Sequence, residues 1–197
     1  MGPVSPVSQG GTLEPVSTRE ALAVWFTGLL SHYPAAYATI DAHLKQVMPD
    51  TKDFLNESTG RDSRSLVVRF QTPEAEIRVP FNDLSDGEKC FFISAVVLAA
   101  NQSYGPLFCF WDEPDNFLSL SEVGHFILSL RRLFTTTGQL VVTSHNPEAI
   151  RRFSDENTLV LDRHSHLEPT VIRPLHDMAV TGDLVEALIR GDLGNPR

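Results

Sequence analysis

The chain has 197 residues, of which 42% are hydrophobic, 21% charged and 9% aromatic, the proportions of one ordinary globular domain rather than of a disordered or fibrous chain. A formal net charge of −9 sets the surface against a phosphate backbone, so nucleic-acid binding by this chain alone is disfavoured. The longest apolar stretch, Phe91 to Ala100, falls far short of the roughly 18 residues of a membrane span, and the N-terminus lacks the basic flank and apolar core of a secretory signal. A soluble, cytoplasmic protein is therefore expected. Cys90 and Cys109 sit in apolar segments without CxxC spacing, as buried inert thiols do.

In chain order, residues Met1 to Ser17 are rich in Pro, Gly, Ser and Val without periodicity and read as a flexible leader, leaving 18–197 as the folded part. From Thr18 the pattern is helical, with Leu22, Trp25, Phe26 and Leu29 on one buried face. A second helix is predicted from Ala35 to Val47, ending near Pro49. Between Thr51 and Phe81 the pattern is β-like. Leu66 to Phe70 and Ile77 to Val79 flank the turn at Pro73, which predicts a small antiparallel ribbon.

Helix and strand then alternate in the manner of a mostly parallel α/β sheet. A helix is predicted over Asp86 to Asn101 and a strand over Leu107 to Trp111, uniformly apolar as in a strand covered on both faces. Val123, Phe126, Ile127, Leu130, Leu133 and Phe134 form the most regular helical stripe, which Gly138 ends. A second buried strand, Gln139 to Thr143, precedes a short helix at Pro147 to Phe153. Strands at Thr158 to Leu161 and Thr170 to Ile172 and a helix at Gly182 to Arg190 complete the prediction.

Three segments carry chemistry. The strand Leu107 to Trp111 ends in adjacent carboxylates, Asp112 and Glu113. Ligands of open α/β sheets bind at the carboxyl ends of strands, and two neighbouring acids there call for a cation such as Mg²⁺. The stretch Asn82 to Lys89 opens an apolar helix: Ser85 can cap it, Gly87 admits a ligand close to the backbone, and the first-turn amides offer an anion site. The strand Gln139 to Thr143 ends in Ser144 and His145. A helical crossover of about 25 residues would put that histidine at the same sheet edge as Asp112, as a parallel connection requires.

In this order and spacing the three segments resemble the ABC-type ATPases, in particular the branch of the SMC, Rad50 and RecF proteins and the AAA-like ATPases of overcoming-lysogenization type. The resemblance spans about Ala35 to Leu175. It implies the C-terminal lobe of a P-loop NTPase: α/β, a mostly parallel sheet flanked by helices, with a small antiparallel ribbon before the signature loop. It implies a nucleotide-binding signature at Ser85, Gly87, Glu88 and Lys89, and a Walker B pair with Asp112 on Mg²⁺ and Glu113 orienting or deprotonating the attacking water. It further implies a D-loop at Asn116, Phe117, Leu118 and Ser119, and a switch histidine, His145, that senses the γ-phosphate. Two positions depart from the family: Asp86 stands where many ABC proteins have glycine, and Ser119 where the transporter D-loop has aspartate.

The site so implied also needs a GxxxxGK[ST] loop, whose amides and lysine hold the β- and γ-phosphates. No such string occurs in the sequence. The expectation is thus one lobe of an ATPase that binds ATP and Mg²⁺ and works by nucleotide-dependent homo- or heterodimerisation. Its P-loop lobe comes in cis or in trans, and DNA is reached only through other subunits. The resemblance sets such machines in DNA maintenance or phage defence. Two alternatives stand beside it: a non-catalytic interaction module that keeps the fold, and a metal-dependent nuclease using Asp112, Glu113 and Asp115.

Overall fold

The structure, a computed structural model, describes residues 7–9, 21–58, 63–135, 137–153, 157–163, 165–178 and 182–190. Two compact units are present. One comprises residues up to Phe110 together with Arg132–Val141, and the other Trp111–Arg131 together with residues from Val142 onward.

In the first unit, helix α1 (Ala21–His32) and helix α2 (Ala36–Val47) precede three strands, β2 (Thr51–Ser58), β3 (Ser63–Gln71) and β4 (Glu76–Pro80). All are antiparallel, and β2 pairs one edge of β3 with a bulge between Thr51 and Asp53. Strand β4 takes part of the other edge, Val67 to Gln71. The rest of that edge, Ser63 to Ser65, pairs with β1, Val7–Gln9. The expected ribbon is therefore larger than its sequence signal. Strand β1 falls within the stretch read as a leader, and the remainder of that stretch lies outside the described residues. A three-residue strand has too little periodicity to register, and its pairing with β3 supplies what its sequence does not.

The core of this unit is aromatic. Phe26 of α1, Phe54 of β2 and Phe92 of helix α3 (Asp86–Tyr104) meet edge to face at 5.5–5.8 Å, and Phe81 joins Phe92 at 5.4 Å. All four are fully buried, and Leu22, Trp25, Phe26 and Leu29 on the predicted face of α1 are buried as well. Burying each phenyl ring contributes about 2–3 kcal/mol before entropy is subtracted. Where α2 packs against α3, His43 Nε2 lies 3.2 Å from Ser94 Oγ. That hydroxyl itself donates to the Phe91 carbonyl at 2.8 Å.

Strands β5 (Phe108–Asp112) and β6 (Gln139–Thr143) pair with each other. Gln139 N–H donates to the Leu107 carbonyl and Glu113 N–H to the Thr143 carbonyl. Both contacts advance in the same chain direction, so the pair is parallel, and helix α4 (Leu120–Phe134) is the crossover. At the start of β5, buried Asn101 organises the backbone: its Nδ2 donates to the Leu133 and Thr137 carbonyls, and its Oδ1 accepts from Leu107 N–H at 2.9 Å.

Uniformly apolar β5 was read as covered on both faces, yet Phe108 is 67% and Phe110 60% exposed. Successive side chains alternate across a strand, so these two share one face, and that face is open to solvent.

In the second unit, Trp111 packs edge to face on Phe126 of α4 at 5.6 Å, and Val123, Ile127 and Leu130 complete a buried stripe. Helix α5 (Pro147–Phe153) lies so close to α4 that a Cβ on Gly124 would meet the Arg152 guanidinium at 2.9 Å. Strands β7 (Leu159–Asp162) and β8 (Val171–Pro174) form an antiparallel hairpin with Leu161 opposite Ile172. This pair is also open, at 61% and 59% exposure. Helix α6 (Leu184–Arg190) follows.

Candidate functional site

The site is built where β5 and β6 end. Because the strands are parallel and in register, their carboxyl-terminal residues emerge side by side, bringing Asp112 and Glu113 to Thr143, Ser144 and His145, all within the second unit. The Thr143 hydroxyl ties the edge together, donating to Asp112 Oδ1 and accepting from Glu113 N–H at 3.0 Å. The same N–H reaches the Thr143 carbonyl at 3.1 Å.

Glu113 adopts φ of +45°, the only described residue besides glycine with positive φ. For a residue with a Cβ this conformation costs roughly 1–3 kcal/mol and persists only where the surroundings over-determine it. Here the bifurcated hold on its N–H does so. The turn aims the carboxylate out of the sheet, where His145 Nδ1 meets Oε1 at 2.9 Å and the Asn116 side-chain amide donates to Oε2. A carboxylate only accepts, so His145 carries its proton on Nδ1 when it makes this bond. Both groups remain accessible, with side-chain exposures of 71% for His145 and 41% for Glu113.

Of the residues expected at the D-loop, Asn116 is therefore drawn into the Glu113 contact. Phe117 is exposed and Leu118 half-buried. Ser119 caps α4: its N–H donates to Glu122 Oε2 at 2.8 Å, while its hydroxyl accepts from Glu122 N–H at 3.4 Å. This reciprocal cap explains why a serine suits the position where the transporter loop has aspartate.

The signature segment belongs to the first unit. Ser85 Oγ accepts from Glu88 N–H at 3.2 Å and Glu88 Oε2 from Ser85 N–H at 2.7 Å, a complete capping box. Lys89 Nζ lies 3.5 Å from Asp86 Oδ1. The helix start was expected to offer its first-turn amides to an anion. The structure places the Glu88 carboxylate there already, leaving Asp86 and Gly87 as the first-turn N–H groups without an intrahelical acceptor or a partner in the box.

Sequence reasoning missed Thr143, whose hydroxyl joins the two strand ends. It also missed the pairing of Asp115 with Ser144, whose hydroxyl donates to Asp115 Oδ2 at 2.9 Å. A threonine closing a β-strand carries no distinctive signal. In the sequence Asp115 is one acid among three, and nothing local marks it for burial. Among the described residues no group of three or more His, Cys, Asp or Glu side chains is arranged to hold a metal ion, and Asp115 is buried against Ser144 while Asp112 is exposed.

The site is thus a pair of adjacent carboxylates opposite a histidine at the carboxyl edge of a parallel strand pair, the edge at which α/β folds bind ligands. The fold is that of SMC head ATPase domains. The chain matches a solved SMC ATPase chain from work on ATP-driven dimerization and DNA-stimulated activation, with TM-score 0.56 and 14% identity over 85% of this chain and 97% of that one. It also matches the Smc head domain of Pyrococcus yayanosii with a coiled coil and joint, with TM-score 0.58 and 14% identity over 87% of this chain and 30% of that one. The Smc head of Pyrococcus furiosus bound to the C-terminal domain of ScpA gives TM-score 0.55 and 16% identity, over 75% of this chain and 36% of that one. The chain thus spans about a third of the length of these last two.

The family described as "AAA domain, putative AbiEii toxin, Type IV TA system" matches residues 27–151, more than half of the chain, and the chain belongs to it. No curated protein matches.

Proposed function

We propose that the chain is the signature-bearing lobe of an ABC-type ATPase, acting on a nucleotide whose β- and γ-phosphates are held by a P-loop lobe from elsewhere in the same polypeptide or from a partner. The observation that carries this reading is Glu113: strained out of the sheet at φ +45° and bracketed by His145 and Asn116, it has the position and partners of a water-orienting base. His145, on the far side of that carboxylate, is set to follow the state of the γ-phosphate.

Mg²⁺ fits the donor set present. Asp112 is exposed at the strand end and oriented by Thr143. One carboxylate without a protein cage suits a cation that keeps most of its waters and takes phosphate oxygens as its other ligands. The ion would neutralise charge on the phosphates; Asp112 would hold it, and Thr143 would keep Asp112 in place.

The P-loop lobe also accounts for the open apolar surfaces. Phe108 and Phe110 in the first unit, and Leu159, Leu161 and Ile172 in the second, are large exposed side chains on strands, the kind of patch that marks an interaction surface. Binding ATP between such a lobe and the Ser85 to Lys89 segment of a second copy would drive dimerisation, Glu88 leaving its cap as the phosphate arrives. No described helix is long and apolar enough to cross a membrane, in keeping with work in the cytoplasm. A type IV toxin–antitoxin system is the setting that the family's description suggests.

The test is reconstitution. The chain should recover a P-loop protein from its native host, and the pair should hydrolyse Mg-ATP with kcat reduced about 100-fold or more by Glu113→Gln. Turnover by the chain alone that Glu113→Gln abolishes would show that no P-loop lobe is required. Recovery of the P-loop protein with no turnover would reduce the chain to an interaction module.

A further inference from the structure

Asp115 has no part in the reading above, yet its setting is unusual. It is 1% exposed, and carboxylates are almost never fully buried unless paired. The only hydrogen bond of its side chain among the described residues is the one from Ser144 Oγ at 2.9 Å, and its Oδ1 is buried without a partner. No cation approaches it within salt-bridge distance among the described ion pairs. Such a group costs stability, so a purely structural position would be better served by an apolar residue or an amide.

The Ser144 hydroxyl that donates to Asp115 also accepts from Asn146 N–H at 3.0 Å, and Asn146 Oδ1 accepts from Glu148 N–H at 2.9 Å, capping α5. Between these two anchored residues stands His145. On the other side, Asp115 lies two residues beyond Glu113 in the turn that follows β5, where Asn116 N–H and Leu118 N–H close back on the Glu113 and Asp115 carbonyls. The Asp115–Ser144 bond is thus a tie, buried at its Asp115 end, between the loop that carries Glu113 and the loop that carries His145. Together with the hold of Thr143 on Glu113 N–H, it joins the two loops beneath the exposed bond between those two side chains.

We infer that Asp115 is a positioning residue: it latches the His145 loop to the Glu113 turn and so holds the His145 ring in the Nδ1–H tautomer against the Glu113 carboxylate. The inference rests on the ATPase reading for its significance and on the geometry alone for its truth. A latch of this kind holds His145 and Glu113 in one register before any nucleotide arrives, so the site needs no reordering of either loop to engage a γ-phosphate.

The test is ¹H–¹⁵N NMR of the ring nitrogens of His145 in the nucleotide-free chain. The wild type should show a protonated Nδ1, and Glu113→Ala should lose it. Asp115→Ala should lose it likewise, whereas Asp115→Asn, which retains an acceptor for Ser144, should keep it. Should Asp115→Ala fail to fold, Ser144→Ala breaks the same bond from the less buried side and should give the same loss. A folded Asp115→Ala or Ser144→Ala chain that is less stable but retains the wild-type Nδ1–H signal overturns the inference, since a merely structural acid would change stability and leave the tautomer alone. The measurement needs no turnover, so an absence of ATPase activity in the reconstituted pair would count against the proposed function and leave this result standing.

Discussion

At the scale of single residues, the chain spends stability in a few identifiable places. Glu113 holds a conformation that glycine adopts freely. Replacing it by glycine should therefore raise the urea-unfolding stability of the isolated chain by about 1 kcal/mol while removing the carboxylate the site requires. Asn101 works in the opposite sense. Its amide meets backbone groups of three segments, and Asn101→Ala would leave the Leu107 N–H and two carbonyls short of partners, costing about 2 kcal/mol in the same measurement. His43, half-buried between α2 and α3, has its pKa pushed below the ordinary 6.5 by desolvation. The folded chain therefore keeps this ring neutral while the unfolded chain takes up a proton as pH falls below about 6.5. Stability should fall with pH in that window and level off once the folded ring also protonates, and His43→Gln should flatten this slope in denaturation midpoints measured between pH 7 and 5.

At the scale of elements, the helices and strands were legible where the periodic signal was long. The stripe of α1 and that of α4 through Leu130 are buried as their spacing requires. Gly138 was read as ending α4, and the helix stops four residues earlier, at Phe134. Glycine is needed there for another reason: φ is +83°, and an added Cβ would sit 2.6 Å from the Leu107 carbonyl oxygen. That oxygen already accepts the Gln139 N–H that begins the β5–β6 ladder. Gly138→Ala should consequently destabilise the chain by more than the roughly 1 kcal/mol of a left-handed conformation alone, read as a lowered thermal midpoint. Strand β2 was not distinguished within the ribbon, because Thr51 to Ser58 mixes polar and apolar residues without clean alternation. Its place comes from Phe54, which enters the aromatic cluster, and Phe54→Ala should cost about 3–5 kcal/mol.

At the scale of the whole molecule, the open apolar strands set what the chain requires of its surroundings. Phe108 and Phe110 present two large side chains to solvent from one strand face, so the isolated chain should bind an apolar fluorescent dye and self-associate at high concentration. Phe108→Ser with Phe110→Ser should weaken dye binding without lowering the unfolding midpoint, since neither ring is buried in this chain. The sequence by itself determined the order of the elements other than β1 and β2, the identity of the acids, the serine loop and the histidine, and the absence of a GxxxxGK[ST] string from these residues. Each of these is written in local spacing or in residue type. Only the tertiary structure decided that Thr143 binds both strand ends, that Ser119 and Glu88 are occupied as helix caps, that Asp115 is buried against Ser144, and that an apolar strand is covered on one face alone. Those facts depend on which residues distant in the chain come to lie side by side. A strand written to be buried on both faces looks the same in sequence whether or not its second cover is part of the chain.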